Sequence, residues 1–369
     1  MRRGENIYWR KDKRWEGRYC VGKKPNGRPK YRSVYGKSLQ EVRQKLYPLK
    51  LKYQLIKETQ GDVCLLLEDW GQQWLNEAME NVKQSTYANY HHKLTHYVLP
   101  VIGKYALNEL DEEVGLKLLA SLKQRELKPS TIQVIFRILN QCIHQAVSKK
   151  LLKANPFTTI KLPKVVKNKH QALTKKEQKS LEQVALTEKT SKGLPILLAL
   201  HAGLRIGETS ALAWRDIDFD TNTIHVHSTF QRVFSVFDQD SKTELIHTSS
   251  KTEASARFIP MSNLLREVLL KHKADSTGEF VFSTKENPSE PRLLTYHFHK
   301  LRVKAKLEHI HFHQLRHTFA TRCIESKGDI KSVSQLMGHS SAKLTLDTYT
   351  DSMLEQRIKV VQQMERAIS

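Results

Sequence analysis

Four stretches between residues 63 and 160 carry apolar residues at the three- and four-residue spacing of amphipathic helices, and short breaks separate them. They are LLLEDWGQQWLNEAMENV, STYANYHHKLTHYVLPVIG, LDEEVGLKLLASLKQ and STIQVIFRILNQCIHQAVSKKLL. Ser85 and Ser130 stand where N-cap residues would begin the second and the fourth helix. The pattern predicts a compact all-α module over residues 61–160.

One group of polar residues in this module has two interpretations, a surface that faces phosphate groups or an ordinary solvated helix face. Its members are Lys83, Tyr87, His91, His92 and Lys93. Both interpretations stay open at the level of the sequence.

The segment before the helical module has the pattern of short strands joined by tight turns. NIYWR, WEGRYCVG and PKYRSVYG are rich in aromatic residues, and the Pro-Asn-Gly that precedes the third of them indicates a hairpin. The residues from Ser38 to Lys57 then have helical spacing, with Glu41 at a capping-box position and Pro48 as an expected interruption. We expect a three-stranded sheet followed by a helix within residues 1–60.

The positive charge of the chain is concentrated in this first segment. The whole chain has 61 Lys and Arg against 38 Asp and Glu, a formal charge of +23, and residues 1–60 alone hold 18 against 5. So large and so local an excess indicates a polyanionic partner, with nucleic acid as the first candidate. A three-stranded sheet can lie in a DNA major groove. The basic residues that could stand on one face of this sheet and bind DNA are Arg10, Arg14, Arg18, Arg28, Lys30 and Arg32.

A basic, proline-containing stretch follows the helical module, and we predict a linker over residues 161–172. Residues 173–369 then mix helical patterns with grouped strand-like segments, which is the order of an α+β domain that is mainly helical. The four cysteines are scattered without a CxxC pair, so neither a disulfide framework nor a cysteine-based zinc site is indicated. With no apolar signal segment at the start, a cytoplasmic protein associated with the nucleoid is expected.

The residues of this third region that could do chemistry lie in four stretches, AGLRIGETSALAW, TSSKTEASARFIP, HFHQLRHTFAT and LMGHSSAKLTLDTYTD. In HFHQLRHTFAT, His313 and His317 are four residues apart, as zinc ligands on a helix often are. His313 and Arg316 are three apart and would share one helix face, which suits a phosphate. A zinc hydrolase is disfavoured because the sequence has no HExxH pattern and no obvious third ligand.

Taken in this order, the four stretches resemble the signature boxes of the tyrosine recombinase family, the phage-type integrases. The two preceding regions resemble, by pattern, the DNA-binding domains of integrases from conjugative transposons and temperate phages. The resemblance implies an arm-type DNA-binding domain over residues 1–60, a core-binding domain over 61–160 and a catalytic domain over 173–369. It implies a site-specific recombinase that integrates and excises a mobile element, such as a transposon or a viral genome, without a cofactor or a metal.

The same resemblance implies the roles of five residues. Tyr349 matches the nucleophile, which takes the DNA 3′ phosphate covalently. Arg205 and Arg316 match the two arginines that neutralise the charge of the reacting phosphate. His313 and His339 match the two histidines, which are expected to donate to phosphate oxygens and to help move the phenol proton.

Three further residues have supporting or proton-donating roles in the same comparison. Glu208 matches the acidic position that orients an arginine or a histidine, and His317 is expected to hydrogen-bond within the fold. A lysine should give a proton to the departing 5′ oxygen. The sequence SKT occurs at both Lys242 and Lys251, and Lys251 is preferred because ARFIPM follows it.

The partners implied are double-stranded DNA with core and arm sites, three further copies of the chain in a tetramer, an excisionase and a host DNA-bending protein. Lys83 is an additional candidate DNA contact. A non-enzymatic DNA-binding protein on the same fold is the alternative, and it predicts that one of the catalytic residues is missing, whereas all are present. The C-terminal tail packs either on its own domain or on a neighbouring subunit.

Overall fold

The structure is a computed structural model. It describes residues 5–166, 172–188, 190–236, 242–249, 256–284, 287–338, 361–362, 364–366 and 368. The chain forms two compact units, Met1–Lys167 with Phe234–Lys242, and Asn168–Val233 with Thr243–Ser369. Within the part of the chain that the structure describes, no helix is both long and apolar enough to cross a membrane.

The first unit begins with the predicted antiparallel sheet, β1 (Ile7–Trp9), β2 (Trp15–Lys23) and β3 (Pro29–Gly36), in the order β1-β2-β3. Alternation along β2 turns Gly17 and Tyr19 toward the helix that follows, so Glu16 and Arg18 occupy the other face. A register shift between Cys20 and Gly22 interrupts the pairing of β2 with β3.

Helix α1 (Leu39–Thr59) packs on this sheet through buried Val42, Leu46 and Tyr53. Ser38 caps it as predicted, because its hydroxyl accepts the backbone N–H of Glu41. The prediction that Pro48 interrupts the helix is wrong, since the helix runs continuously through it. Pro48 lies on the exposed side of the helix and lacks only one backbone donor, while the buried residues on both sides of it hold the helix against the sheet.

The rest of the first unit is the predicted helical module. Its elements are α2 (Leu67–Asn81), α3 (Gln84–Lys93), a π-helical turn (Leu94–Val98), α4 (Leu99–Ile102), a 3₁₀ turn (Leu107–Glu109), α5 (Glu112–Gln124) and α6 (Pro129–Ser148). One apolar core runs through the module, with Trp70, Leu75 and Phe136 fully or almost fully buried. The predicted caps Ser85 and Ser130 are wrong by two residues, because α3 and α6 begin after Lys83 and Lys128.

Specific polar contacts join the sheet to the helical module inside this unit. The Asn108 side chain donates to the carbonyl oxygen of Val21 at 2.9 Å, and the Cys64 N–H donates to the carbonyl oxygen of Lys23 at 2.7 Å. The Arg32 guanidinium donates to Glu109 at 2.8 Å and to the Tyr53 hydroxyl at 3.0 Å. The proposed division at residues 60 and 61 into arm-binding and core-binding domains stays a prediction.

The second unit is α+β and mainly helical, as predicted. Its helices are α7 (Lys175–Thr187), α8 (Leu194–His201), α9 (Ile206–Ala211), α10 (Asn263–Ala274), α11 (Pro291–Lys304), α12 (Phe312–Glu325) and α13 (Ile330–Met337), with 3₁₀ turns at Ser191–Gly193 and Trp214–Asp216. Its strands are β4 (Ile217–Asp218), β5 (Thr223–Val226), β6 (Ser228–Phe234), β7 (Thr243–Ser249), β8 (Arg257–Pro260), β9 (Ser283–Thr284) and β10 (Asn287–Pro288). Three of them form a sheet in the order β4-β5-β8, while β6 pairs with β7 and β9 with β10.

The core of the second unit forms around α8, in which every residue from Leu194 to Leu200 is apolar and buried. Residues of α7, α10, α11, α12 and the β4-β5-β8 sheet pack against it. The loop that leaves α8, residues 202–205, is thereby fixed next to α12, and this loop begins the candidate site.

Candidate active site and nucleic-acid interface

Two predicted catalytic residues, Arg205 and Arg316, meet at one backbone carbonyl oxygen. Arg205 precedes α9 as its N-cap residue, and Arg316 lies in the middle of α12. The carbonyl oxygen of Met337, the last residue of α13, accepts hydrogen bonds from Nη2 of Arg205 and Nη2 of Arg316. Residues more than one hundred positions apart in the sequence are therefore brought together by the packing of three helices.

The loop between α8 and α9 fixes the second arginine as well. Gly203 has φ +65°, and its carbonyl oxygen accepts Nη1 of Arg316 at 2.5 Å. A Cβ atom on Gly203 would lie 2.5 Å from Cδ1 of Phe319, on the turn of α12 that follows Arg316. Glycine is therefore required here both for its backbone conformation and for the close approach of α12.

Glu208 accepts hydrogen bonds from arginines on two sides. It is the third residue of α9, where its carboxylate accepts the backbone N–H of Arg205 at 2.9 Å and Nη1 of Arg205 at 2.6 Å. Arg257 donates to the same carboxylate through Nη1 at 3.2 Å and Nη2 at 2.9 Å. Burial alone would raise the pKa of Glu208, but the Arg257 hydrogen bonds and the charges of Arg257, Arg205 and Arg316 outweigh it and lower the pKa to about 2.

Arg257 was not identified as a site residue from the sequence. It is the first residue of β8, only 6% exposed, and its Nε donates to the carbonyl oxygen of Leu336 at 2.7 Å. It thus connects β8, α9 and the end of α13. Its only sequence signal is its place in ARFIP, just after the candidate lysine, and no helical spacing links it to Glu208.

These contacts make a cationic centre. The centre carries a net charge of +2, from the three arginines Arg205, Arg257 and Arg316 and the one carboxylate of Glu208. Arg257, Arg316 and Glu208 are buried. Buried cations held by fixed carbonyl and carboxylate oxygens need no rearrangement to stabilise an approaching anion. An oxyanion such as a DNA phosphate fits this arrangement chemically.

The two histidines of α12 lie beside this centre in the sequence but differ from Arg316 in burial. His313, in the first turn of α12, is exposed, whereas Arg316 is only 1% exposed. Residues three apart on a helix are neighbours, and the expectation that these two face one phosphate stays a prediction. The His313 and His317 rings contact each other edge to face, with centroids 4.6 Å apart. Within the described residues, no group of three or more His, Cys, Asp or Glu side chains is arranged to hold a metal ion.

Three of the predicted catalytic residues, Lys251, His339 and Tyr349, lie outside the described residues. Their roles stay predictions. The rejected alternative, Lys242, is exposed next to β7, and its carbonyl oxygen accepts the N–H of Ser235 at 3.2 Å.

The three-stranded sheet presents a surface of arginines and tyrosines, which we call the sheet face. The guanidinium of Arg18 lies 5.4 Å from the ring centre of Tyr8, and those of Arg10 and Arg14 each lie 5.5 Å from that of Tyr35. Glu16 pairs with Tyr8 on β1 and with Tyr35 on β3, so it lies at the centre of this surface.

The prediction that six basic residues stand on this face is wrong for Arg32. Arg32 pairs with Tyr19 across the sheet and points to the side of α1, where it contacts Tyr53 and Glu109. Lys30 precedes Arg32 by two residues in β3, so its side chain leaves the strand on the same side as that of Arg32. Arg28 is exposed just before β3, and the DNA-binding roles of all these residues stay predictions.

The candidate phosphate-facing group of the helical module is partly core. Tyr87 is 5% exposed and belongs to the apolar cluster, while Lys83, the N-cap residue of α3, is half-buried. Burial is the main reason that the pKa of His92 is lowered, to about 4, and the neighbouring charges of Lys93, His96 and His91 lower it further. His92 is therefore neutral at pH 7 and adds no positive charge to this surface.

Comparison with known proteins gives two family matches. The model described as "Phage integrase family" matches residues 171–356, about half of the chain, and "Phage integrase, N-terminal SAM-like domain" matches residues 66–122. A "Tyrosine recombinase XerC-like" protein of Caldanaerobacter subterraneus is 28% identical over 262 residues, covering 65% of this chain and 67% of that protein. An "Integrase" of Saccharopolyspora erythraea is 22% identical over 403 residues, covering 92% and 91%.

Solved structures share the fold at low sequence identity. The Tn1549 transposon integrase in complex with a circular intermediate DNA has a TM-score of 0.67 and 20% identity, covering 80% of this chain and 99% of that one. The lambda integrase tetramer bound to a Holliday junction has a TM-score of 0.60 and 19% identity, covering 94% and 96%.

Proposed function

The chain belongs to the phage integrase family of tyrosine recombinases, and from this premise we propose that it is a site-specific DNA recombinase that integrates and excises a mobile element. One observation about the candidate active site supports the proposal. Arg205 and Arg316 both donate to the carbonyl oxygen of Met337, which brings the two expected phosphate-binding arginines together two residues before His339 in the sequence.

In the proposed reaction the Tyr349 hydroxyl attacks a phosphodiester of one DNA strand. The tyrosine oxygen forms a bond to phosphorus, the bond to the 5′ oxygen breaks, and a 3′-phosphotyrosine remains. Lys251 gives the departing 5′ oxygen its proton, while His313 and His339 assist in removing the proton of the phenol. A 5′ hydroxyl of a second strand then reverses these steps, so the phosphodiester energy is conserved and neither ATP nor a metal is required.

The arginines stabilise the five-coordinate phosphorus, because a fixed guanidinium offers paired donors to the non-bridging oxygens. Glu208 and Arg257 act as positioning residues. Glu208 holds Arg205 by accepting hydrogen bonds from its backbone N–H and from its side chain. Arg257 also donates to Glu208, so the negative charge of this carboxylate is divided between two arginines and does not fully neutralise Arg205.

The substrates in this proposal are a core site, bound by the helical module and the second unit, and an arm site, bound by the sheet face. A tetramer would join two core sites, by analogy with the lambda integrase tetramer whose structure contains a Holliday junction. An excisionase and a host DNA-bending protein would set the direction of the reaction.

Covalent capture tests the enzyme directly. The full chain should form an SDS-stable adduct with a nicked suicide duplex carrying its attachment site, and Tyr349→Phe should form none. Tyr296→Phe is the matched control, since Tyr296 is an exposed tyrosine of the same unit, on α11, and should react like the unmodified protein. An equal yield of adduct from Tyr349→Phe would contradict the assignment, and DNA binding without any adduct would support the non-enzymatic alternative.

The same assay tests the absence of a metal requirement. EDTA should leave the yield of adduct unchanged, whereas a loss of yield that zinc restores would support a metal site at His313 and His317.

A further inference from the structure

Glu16 is a buried carboxylate at the centre of an otherwise exposed, basic surface. Its side chain is 5% exposed, although it lies on the sheet face and not on the side of α1. That it lies on this face follows from Gly17, because a Cβ atom on Gly17 would meet Val42 of α1 at 2.7 Å. The side chains that cover Glu16 are therefore those of the sheet face itself.

Three side chains donate hydrogen bonds to this carboxylate. Arg18 donates to Oε1 through Nε at 2.9 Å and to Oε2 through Nη2 at 3.5 Å, and Arg10 donates to Oε2 through Nη1 at 2.9 Å. The Ser33 hydroxyl donates to Oε1 at 2.6 Å. The hydrogen bonds from Arg18, Ser33 and Arg10 lower the pKa of Glu16 to about 2, so the carboxylate is ionised at pH 7.

The two guanidinium groups are fixed but remain accessible. The side chains of Arg10 and Arg18 are 42% and 52% exposed, and each also lies against a tyrosine ring. Arg18 uses its Nε–Nη2 edge for Glu16, and no described residue accepts a hydrogen bond from its Nη1. The outer N–H groups of this planar fork can therefore meet a pair of acceptors.

We propose that Glu16 determines the sequence preference of the sheet face, by holding Arg10 and Arg18 in the orientation that reads guanine in the DNA major groove. The N7 and O6 atoms of guanine are the acceptor pair that a guanidinium matches in this groove. An arginine already fixed by a carboxylate loses less conformational freedom on binding, and it cannot turn to suit another base. The proposal rests on the proposed arm-site function of the sheet and adds the class of sequence that it reads.

The shared carboxylate also limits the spacing of the bases. Nη1 of Arg10 lies 2.9 Å from Oε2 and Nη2 of Arg18 lies 3.5 Å from it, so these two nitrogen atoms are at most about 6.4 Å apart. Base pairs are stacked about 3.4 Å apart along the helix axis. The outer N–H groups lie up to one guanidinium width beyond these atoms, so the two preferred guanines should fall within about three base-pair steps of each other.

Electrostatics alone predicts the opposite effect of removing this carboxylate. Glu16→Gln deletes one negative charge from a DNA-facing surface, which should strengthen binding to any duplex. Loss of the positioning role should instead weaken the preference for guanine. The two effects act on different measurements, affinity for unrelated DNA and discrimination between bases.

The experiment is selection of duplexes with a randomised 12-base-pair window by the full chain, followed by Kd measurements on single-base variants of the selected duplex. The double variant Arg10→Lys, Arg18→Lys keeps the charge and loses both planar forks, so the positions at which it loses preference are those read by the sheet face. At these positions Glu16→Gln should lose about tenfold in guanine discrimination, while it binds a poly(dA-dT) duplex at least as tightly as the unmodified protein.

Two more variants make the result decisive. Glu109→Gln, which removes another arginine-paired carboxylate of the same unit, is the matched control and should leave the base preference unchanged. Ser33→Ala removes one donor to Glu16 without changing any charge, and it should give a smaller loss in the same direction even if Glu16→Gln folds poorly. Full guanine discrimination in both Glu16→Gln and Ser33→Ala would overturn the role of Glu16. An unchanged motif in the double arginine variant would instead overturn DNA reading by the sheet face.

Discussion

At the scale of single residues, Arg257 is the side chain on which the geometry of the cationic centre depends. It holds Glu208 with two hydrogen bonds and the carbonyl oxygen of Leu336 with a third. Arg257→Gln should leave the buried Glu208 with one arginine fewer and lower the free energy of unfolding by about 3 kcal/mol. Equilibrium denaturation measures this loss.

The same variant should slow covalent capture more than it weakens DNA binding, because Arg257 positions Arg205 through Glu208 and does not itself touch DNA in the proposed reaction. Single-turnover adduct formation at saturating duplex separates the rate from the affinity. Arg257→Lys keeps the charge but not the paired donors, so it should recover part of the stability and little of the rate. An unchanged rate in Arg257→Gln would show that the contact is structural only.

Glu208 makes the stability of the protein depend on pH. Its pKa is lowered from 4.5 to about 2 in the fold, so its contribution is complete above pH 4.5 and is lost as the pH falls toward 2. One pKa unit corresponds to about 1.4 kcal/mol, so the full contribution is about 3 kcal/mol. The difference in unfolding free energy between the unmodified protein and Glu208→Gln should therefore shrink from about pH 6 to about pH 3. A difference that stays constant with pH would show that Glu208 is not ionised in the fold.

The residue scale also shows what sequence patterns can predict about the site. Arg205 and Glu208 are three apart, so their pairing on one turn was readable from the sequence. Arg257 reaches Glu208 from a strand 49 positions away, and only the packing of β8 beside α9 creates that contact. The carbonyl oxygen of Met337, which accepts from both arginines, could not be predicted from the sequence either, because any residue type can supply a backbone oxygen.

At the scale of elements, most helices and strands follow from the apolar pattern, and the errors lie at their ends and breaks. Ser38 caps α1 as expected, yet the N-cap residues of α3 and α6 are Lys83 and Lys128, two residues before Ser85 and Ser130. At α6 a local preference decided the start, because Pro129 occupies the first helical position. At Pro48 tertiary packing decided the outcome. Leu46 and Tyr53 are buried against the sheet on both sides of Pro48, so α1 continues where local preference predicts an interruption.

The loop between α8 and α9 is the element most sensitive to a small substitution. Gly203→Ala combines a left-handed φ, which costs an alanine about 1–2 kcal/mol, with a contact of 2.5 Å to Phe319. The free energy of unfolding should fall by about 2–4 kcal/mol, and adduct formation should fall as well because the Gly203 carbonyl holds Arg316.

Gly27→Ala is the control for this prediction. Gly27 also has a positive φ, +79°, but a Cβ atom there would meet nothing within 4 Å. It should therefore show the backbone cost alone, with normal adduct formation. Equal losses in the two variants would mean that the contact with Phe319 is relieved without effect on Arg316.

At the scale of the whole molecule, the chain carries its positive charge unevenly, and the fold decides which part of it DNA can meet. Residues 1–60 hold 18 Lys and Arg against 5 Asp and Glu, more than half of the net excess of +23. Sequence alone could not divide these charges between the two sides of the sheet. Arg32 shows why, since it is directed away from the sheet face to Tyr53 and Glu109, beyond the reach of local patterns.

Salt dependence measures this division. Each phosphate contact that is lost should lower the slope of log Kd against log salt concentration by about 0.9. Arg14→Gln with Arg28→Gln removes two exposed charges near the sheet face and should lower the slope by about 1–2.

Arg32→Gln removes one charge of the same segment and should leave the slope unchanged. Its effect should appear instead in thermal unfolding, where loss of a half-exposed ion pair worth about 1 kcal/mol lowers Tm by about 2–4 °C. If the slope fell by the same amount per removed charge in both variants, the excess positive charge would act on DNA as a diffuse field. The side of the sheet on which an arginine lies would then have no effect on DNA binding.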